Sequence, residues 1–176
     1  VIILVSNSSR YLAHYRSLLI QKIKNFNMLP ISLAPKDNFS KDLSKLGEFV
    51  EWKASTKNNY NIFSLIKDFL NLLNIVYRLK PDIIHSHTIK PNLLVSFIAY
   101  LLNIKVVLSF TGLGILSKKN GFQKFIFKLI LKTIFYFSIS EIRGFRFWSK
   151  NFNRTTFVFQ NNFDKEIFEN LFELKK

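Results

Sequence analysis

The sequence predicts an α/β fold, a Rossmann-like parallel sheet flanked by helices. Short, continuous apolar runs such as residues 1–5 and 105–110 are typical of strands that are buried on both faces. Longer segments with helical spacing of apolar residues alternate with these runs, and this alternation favours a parallel sheet covered on both sides. No repeat and no linker rich in Pro, Gly or Ser interrupts the 176 residues, so we expect one domain over residues 1–176.

Each element follows from a local pattern. The predicted strands cover residues 1–5, 29–34, 48–53, 82–85, 105–110 and 155–159. The predicted helices cover residues 10–26, part of 36–45, 61–80, 91–102, 121–137 with a continuation to about 150, and 164–174. Ser9 is a candidate N-cap for the first helix. Pro81 ends one helix and Pro91 begins the next, because Pro is excluded from a helix interior but tolerated in the first turn.

The composition excludes several kinds of site. The chain has no Cys, which removes disulfides, thiol catalysis and Cys-ligated zinc. Three His are present, which nearly excludes a metal site made of His alone, so we expect no metal and no cofactor. Hydrophobic residues make up 48% of the chain, enough to form a core and too many for a disordered chain.

No segment predicts a membrane span or a signal peptide. The longest apolar stretch, residues 122–140, contains three Lys, whereas a spanning helix needs about 20 mostly uncharged apolar residues. Residues 1–5 are too short for a signal peptide and lack its basic residues. We therefore expect a cytoplasmic protein. The chain opens on Val1 inside a predicted strand, so we also expect further residues before it.

Ligands of open parallel sheets bind beyond the carboxyl ends of the strands. That rule selects five loops, at residues 6–10, 34–39, 85–92, 110–114 and 160–164. The first loop, Ser6-Asn-Ser-Ser-Arg10, has no Gly and so lacks the dinucleotide-binding fingerprint. Ser8 or Ser9 is expected to cap the following helix. The amides of that helix could also hold an anion or sugar hydroxyls, which makes Asn7, Ser8 and Ser9 candidate substrate contacts.

Two histidines mark the third of these loops. His85 and His87 share one face of an extended segment and could chelate a metal, but no third ligand is evident nearby. We interpret His85 as packed against the sheet with one nitrogen hydrogen-bonded. His87 lies one step further out, so we expect it to reach the cleft and donate to a sugar hydroxyl or a phosphate. Lys90 adds a positive charge facing the same cleft.

The fourth loop, Thr111-Gly-Leu-Gly114, has two glycines directly after a buried strand. Glycines at this place permit a ligand to approach the backbone closely. A plain tight turn explains the same pattern, so this loop predicts a binding role only together with its neighbours.

Four segments, taken in order, resemble the signatures of one enzyme family. The first combines Val5-Ser-Asn-Ser-Ser9 with Ala34-Pro35 and Asp37. The second is Pro81-Asp82 with His85-Ser-His-Thr-Ile-Lys-Pro-Asn92. The third and fourth are Thr111-Gly-Leu-Gly114 and Phe159-Gln-Asn-Asn-Phe-Asp164. Together they resemble bacterial family-4 glycosyltransferases of the capsule and O-antigen type, over essentially the whole chain.

The resemblance implies a GT-B fold, in which two Rossmann-like domains face a cleft, and a transfer that retains anomeric configuration without a metal. It implies that this chain corresponds to the amino-terminal domain, which mainly holds a lipid-linked or saccharide acceptor in surface polysaccharide synthesis. Nothing in the sequence resembles the donor-binding, carboxy-terminal domain. We therefore expect a fragment, a truncated product or one half of a split enzyme, which uses a nucleotide-sugar only with a second domain or subunit.

The resemblance also assigns residues. It places His87 near the transferred sugar, as the candidate catalytic residue, and it places residues 7–9 and 111–114 along the floor of the cleft. The candidate substrate contacts, in addition to residues 7–9, are Lys90, Thr111, Gly112, Gly114 and Asn161.

The net charge of +15 is unevenly distributed, with 26 Lys and Arg against 11 Asp and Glu. Residues 103–154 hold ten basic residues and a single acid. Within them, Lys124, Lys128 and Lys132 recur every four residues and form one stripe on a helix. A basic amphipathic helix suits an anionic membrane surface, so we predict peripheral contact with the inner face of the cytoplasmic membrane. An ordinary solvated Lys face is the alternative.

Two other functions compete with the glycosyltransferase interpretation. A non-catalytic, membrane-binding subunit that recruits a separate donor-binding partner would use the same Lys stripe. A basic nucleic-acid-binding protein would use the positive charge. Nucleic acid is disfavoured, because no known nucleic-acid module is present and the many Phe have core-like spacing rather than an exposed stacking pattern.

Overall fold

The computed structural model describes residues 1–55, 62–111, 113, 121–139 and 155–172. Its strands are β1 (Ile2–Val5), β2 (Pro30–Ala34), β3 (Glu48–Glu51), β4 (Ile83–His87), β5 (Lys105–Phe110) and β6 (Thr155–Phe159). Its helices are α1 (Ser9–Tyr15), α2 (Ser17–Asn25), α3 (Ser40–Leu46), α4 (Ile62–Leu79), α5 (Ile89–Leu102), α6 (Gly121–Ile139) and α7 (Asn162–Leu171). The strands form one parallel sheet in the order β3-β2-β1-β4-β5-β6. The predicted fold class is confirmed.

The elements differ from the predicted ones at a few places. The first predicted helix is two helices, because Arg16 has non-helical dihedral angles (φ −127°, ψ 3°) and separates α1 from α2. Helix α5 begins two residues before Pro91, which is tolerated because the first amides of a helix have no intrahelical acceptor. The predicted continuation of α6 to about residue 150 lies outside the described residues.

By its contacts the chain divides into two compact units, Val1–Ser86 and His87–Lys176. In the first unit, β1 pairs with β2 on one side and β4 on the other, and all four of its residues are buried. Helices α1, α2 and α3 supply the side chains that pack against this strand pair. The core cluster consists of Ile2, Leu4, Leu12, Ile20, Ile23, Ala34 and Leu43.

A buried carboxylate fastens the chain after β3 to helix α4. Asp68 is fully buried, and its Oδ1 accepts hydrogen bonds from both the amide and the hydroxyl of Ser55, each at 2.9 Å. The indole N–H of Trp52 donates to the backbone oxygen of Asp68 at 3.2 Å. These bonds satisfy polar groups that would otherwise destabilise the core.

The second unit is organised around an aromatic cluster. The ring of Phe168, on α7, is 2% exposed. Five other rings lie with centroids 4.6–5.8 Å from it, the distance range at which aromatic pairs attract. They belong to Phe110, Phe135, Phe157, Phe159 and Phe172. The cluster therefore joins α6 and α7 to β5 and β6.

Within the described ranges, none of the helices combines the length and the apolar character needed to cross a membrane.

The aromatic cluster yields a stability prediction. Replacing Phe168 by Ala removes the central ring, so we expect the free energy of unfolding to fall by about 3–5 kcal/mol. The matched control is Phe163→Ala on the same helix, where the ring is 57% exposed and the expected change is within about 0.5 kcal/mol. Urea unfolding followed by circular dichroism measures both. Equal destabilisation by the two variants would contradict this account of the core.

Candidate functional site

The loops after β1 and β2 are joined by a chain of hydroxyl groups. Strands β1 and β2 run parallel, with Val5 opposite Leu33, so the two loops leave the same edge of the sheet. The Ser9 hydroxyl is buried and donates to the backbone oxygen of Pro35 at 2.5 Å. Ser40 donates to the Ser9 oxygen at 3.4 Å, and the amide of Asp37 donates to Ser40 at 2.9 Å. These contacts fix the two loops against each other.

The predicted contacts at residues 7–9 therefore have different roles. The Ser8 hydroxyl accepts from the amide of Tyr11 at 3.3 Å and caps α1, as the sequence predicted for Ser8 or Ser9. Ser9 already uses its hydroxyl proton inside the protein. Asn7 and Ser8 are half-buried at the loop surface. A substrate contact through Asn7 or Ser8 stays a prediction.

An aromatic surface that the sequence analysis missed lies beside this loop pair. The His14 ring lies 5.0 Å from that of Phe39, nearly edge to face, and the Arg10 guanidinium lies 5.9 Å above the same ring. Tyr15 is 68% exposed, with its ring 6.5 Å from that of His14. The i, i+4 spacing of Arg10 and His14 on a helix is the signal that could have indicated a shared face.

His85, in the middle of β4, is partly buried opposite Leu4 of β1. Burial, and to a smaller extent the nearby positive charge of Arg16, lower its pKa from 6.5 to about 4. The Arg16 guanidinium is held in place, because it donates to the Tyr11 hydroxyl at 2.8 Å and to the backbone oxygen of Tyr15 at 3.1 Å. His85 is therefore neutral near pH 7.

His87, the predicted catalytic residue, is the last residue of β4 and is fully buried. The sequence predicted that His87 reaches the cleft, but in this structure its side chain is fully buried, whereas that of His85 is partly exposed. The physical reason is that β4 continues through His87 instead of ending at residue 85. A contact between His87 and the transferred sugar stays a prediction.

The residue after His87 has a strained backbone. Thr88 has φ 73° and ψ 159°, a region populated almost only by Gly, and one that costs of order 1–3 kcal/mol for other residues. It is also the N-cap of α5, whose first turn carries Lys90, a partly exposed side chain. Four residues after Thr88, the buried Asn92 side-chain amide donates to the backbone oxygen of Ser109 at 3.0 Å. This bond fixes α5 to the end of β5.

The remaining predicted contacts lie after β5 and β6. Phe110 is opposite Phe159, so Thr111 and Asn161 follow neighbouring strands at one edge of the sheet. Thr111 is partly exposed. Asn161 caps α7, because its Oδ1 accepts from the amide of Asp164 at 2.7 Å. Gly112 and Gly114 lie outside the described residues.

The three lysines of the predicted stripe line a groove between α6 and α7. Lys124, Lys128 and Lys132 are exposed, and the groove has a volume of about 670 Å³. Apolar side chains from both helices complete it. They are Phe125, Leu129, Phe163, Ile167 and Leu171, with the polar Asn170. The lysines thus stand beside apolar surface, as the sequence predicted, while their contact with a membrane stays a prediction.

No group of three or more His, Asp or Glu side chains that could hold a metal ion occurs in the part of the chain that the structure describes.

Several solved structures resemble this fold. A glycosyltransferase from Rickettsia africae ESF-5 is 17% identical with a TM-score of 0.51, and the alignment covers 74% of this chain and 34% of that one. Sucrose-phosphate synthase from Thermosynechococcus elongatus is 10% identical with a TM-score of 0.48, over 98% of this chain and 96% of that one. UDP-GlcNAc 2-epimerase from Neisseria meningitidis, solved with UDP-GlcNAc bound, is 10% identical with a TM-score of 0.48, over 99% and 70%.

At such low identity the similarity to the Rickettsia enzyme concerns the fold, and the chain spans about a third of that enzyme's length. No protein with a curated function matches the sequence. The family comparison is more specific, because a family model described as glycosyl transferase 4-like matches residues 1–142. That match includes every described element from β1 to α6. Since it covers well over half of the 176 residues, the chain belongs to the glycosyl transferase 4-like family.

Proposed function

We propose that the chain is the acceptor-side domain of a retaining glycosyltransferase in surface polysaccharide biosynthesis. The single observation that carries the proposal is the family match over residues 1–142, which includes the loops after β1, β2, β4 and β5. The reaction transfers a sugar from a nucleotide-sugar to a lipid-linked or saccharide acceptor. The bond between the anomeric carbon and the phosphate oxygen breaks, a bond to an acceptor oxygen forms, and the acceptor hydroxyl loses its proton.

The polar groups at the loops suit an acceptor rich in hydroxyls. Asn7 and Ser8 in the first unit, and Lys90 and Thr111 in the second, are at least partly exposed. Amide, hydroxyl and ammonium groups donate and accept the hydrogen bonds that sugar hydroxyls and phosphates require. The donor is a nucleotide-sugar, which the resemblance to the family assigns mainly to a second domain or subunit.

The groove between α6 and α7 supports the membrane part of the proposal. Lys side chains can lie along apolar surface with their charges directed outward, and each Lys near an anionic bilayer contributes about 1 kcal/mol. In this arrangement Lys124, Lys128 and Lys132 contact lipid phosphates while Phe125 and Leu129 meet the apolar boundary. The domain would then lie on the inner face of the cytoplasmic membrane, beside a lipid-linked acceptor.

A transfer assay in the source organism tests the enzymatic proposal. Extracts of a strain in which this gene is disrupted should lose transfer of label from radioactive UDP- or GDP-sugars to lipid-extractable material, and the wild-type gene should restore it. His87→Gln keeps a polar side chain and should restore at least about 100-fold less transfer, the usual cost of losing one donor that stabilises charge in the transition state.

The matched control for that experiment is His85→Gln, two residues away, which should restore transfer to within a few-fold. Both variant proteins are checked for folding by circular dichroism. Unchanged transfer after disruption of the gene would overturn the proposed function. Equal transfer by the two histidine variants would overturn the role of His87.

Liposome sedimentation tests the membrane contact. Changing Lys124, Lys128 and Lys132 together to Gln should weaken partitioning onto phosphatidylglycerol vesicles by roughly two orders of magnitude, at about 1 kcal/mol for each Lys. Added salt should release the wild type. The control changes three exposed lysines elsewhere, Lys22, Lys24 and Lys41, and removes the same total charge. If the two triple variants sediment alike, the stripe is only a solvated Lys face.

A pH-dependent difference in stability tests the structural role of His85. Its pKa is lowered from 6.5 to about 4 in the folded protein, so the unfolded chain takes up a proton first as the pH falls. The free energy of unfolding should therefore fall between pH 6.5 and pH 4, by up to about 3 kcal/mol from this residue. Urea unfolding at pH 7.0, 5.5 and 4.5 measures it. In His85→Gln this contribution should be absent. If the free energy of unfolding depends on pH in the same way in the wild type and in His85→Gln, the structural role of His85 is refuted.

A further inference from the structure

The aromatic surface beside the first loop pair is not accounted for by packing. It consists of Arg10, His14, Tyr15 and Phe39, which we call the α1 patch. Arg10, His14 and Tyr15 are all exposed, and Phe39 is half-buried. The rings of the aromatic cluster in the second unit are buried or half-buried, whereas Tyr15 and His14 are exposed. Clustered rings that stay in water offer apolar faces to a ligand instead.

The patch is held rigidly from below. Phe39 lies in a turn in which its own amide donates to Asp37 Oδ1 at 2.8 Å and the amide of Asp37 donates to Ser40 at 2.9 Å. The ring of Tyr15 lies 5.4 Å from that of Tyr11. A preorganised surface loses little side-chain entropy on binding, which favours affinity.

The shape and chemistry of the patch favour a sugar ring. One face of a pyranose carries C–H groups that pack against aromatic rings, while its hydroxyls stay at the rim, where Tyr15 and His14 offer polar atoms. The patch also carries a positive charge, because the Arg10 guanidinium lies over the Phe39 ring and forms no ion pair with any acid among the described residues. A guanidinium pairs most strongly with a carboxylate or a phosphate.

We propose that the α1 patch is an acceptor subsite that binds one ring of an anionic saccharide. The ring packs against His14, Tyr15 and Phe39, and the carboxylate or phosphate of the saccharide pairs with Arg10. This inference rests on the proposed function and deepens it, since it makes the acceptor a glycan that carries a negative charge. The hydroxyl chain through Ser9 and Ser40 connects this subsite to the loop that follows β1.

Titration of the ¹⁵N-labelled chain by NMR tests the subsite with three defined probes. Hyaluronan tetrasaccharide supplies carboxylates, N-acetylglucosamine 1-phosphate supplies a phosphate, and chitotetraose is neutral. We expect saturable shifts of amides 9–16 and 36–41, with at least one anionic probe bound more tightly than chitotetraose. Comparison of the first two probes identifies the carboxylate or the phosphate as the preferred anion.

Two variants separate the ring contact from the charge contact. Arg10→Gln should weaken the binding of the preferred anionic probe about tenfold, the usual loss for one charged hydrogen bond. The anionic probe should then bind no more tightly than chitotetraose. Tyr15→Ala should weaken the binding of the anionic and the neutral saccharide by the same factor. The control is Phe26→Ala, which removes a ring that is 74% exposed at the end of α2 and should change nothing.

Three results would overturn the subsite: no shifts in these segments at 10 mM of any probe, wild-type affinities in both patch variants, or tighter binding of a dT10 oligonucleotide than of any saccharide at the patch. The enzymatic proposal is judged separately by the transfer assay. Loss of binding at the patch with intact sugar transfer would therefore reject the subsite and leave the proposed function standing.

Discussion

The buried pairing of β1 with β2 and β4 is the constraint on which the first unit depends. All four residues of β1 are buried, so its backbone groups must bond to neighbouring strands and its register cannot shift without exposing the core. That register places residues 6–9 beside Pro35 and brings His85 level with Leu4. The positions of the loop hydroxyls and of the lowered pKa at His85 both follow from it.

In the second unit, aromatic packing holds the strands and helices together. Phe168 and the five rings around it connect two strands and two helices, and Asn92 adds a directional bond to Ser109 that apolar contacts cannot supply. One face of α6 is therefore used for the core, through buried residues such as Ile134. Its opposite face retains the lysines and exposed apolar side chains of the groove.

The sequence was sufficient to predict the order and type of the elements, because buried strands and amphipathic helices have different periods. The strands at residues 105–110 and 155–159 were predicted to the residue. It was insufficient where tertiary contacts decide. The break at Arg16 is not signalled by Pro or Gly, and the extension of β4 beyond residue 85 follows from the pairing of Ser86 with Val5 of β1. The α1 patch joins Phe39 to residues 10–15, and such a distant contact leaves no local pattern.

Thr88 imposes two opposing demands on the end of β4. Its backbone conformation suits Gly, whereas its β-branched side chain restricts the dihedral angles further. Gly at this position would relieve the strain in the folded state but would also loosen the unfolded chain and the connection from β4 to α5. The direction in which α5 leaves the sheet is thus maintained at an energetic cost. At Thr88, next to the predicted catalytic His87, a backbone that is fixed in direction is therefore obtained at the expense of folding stability.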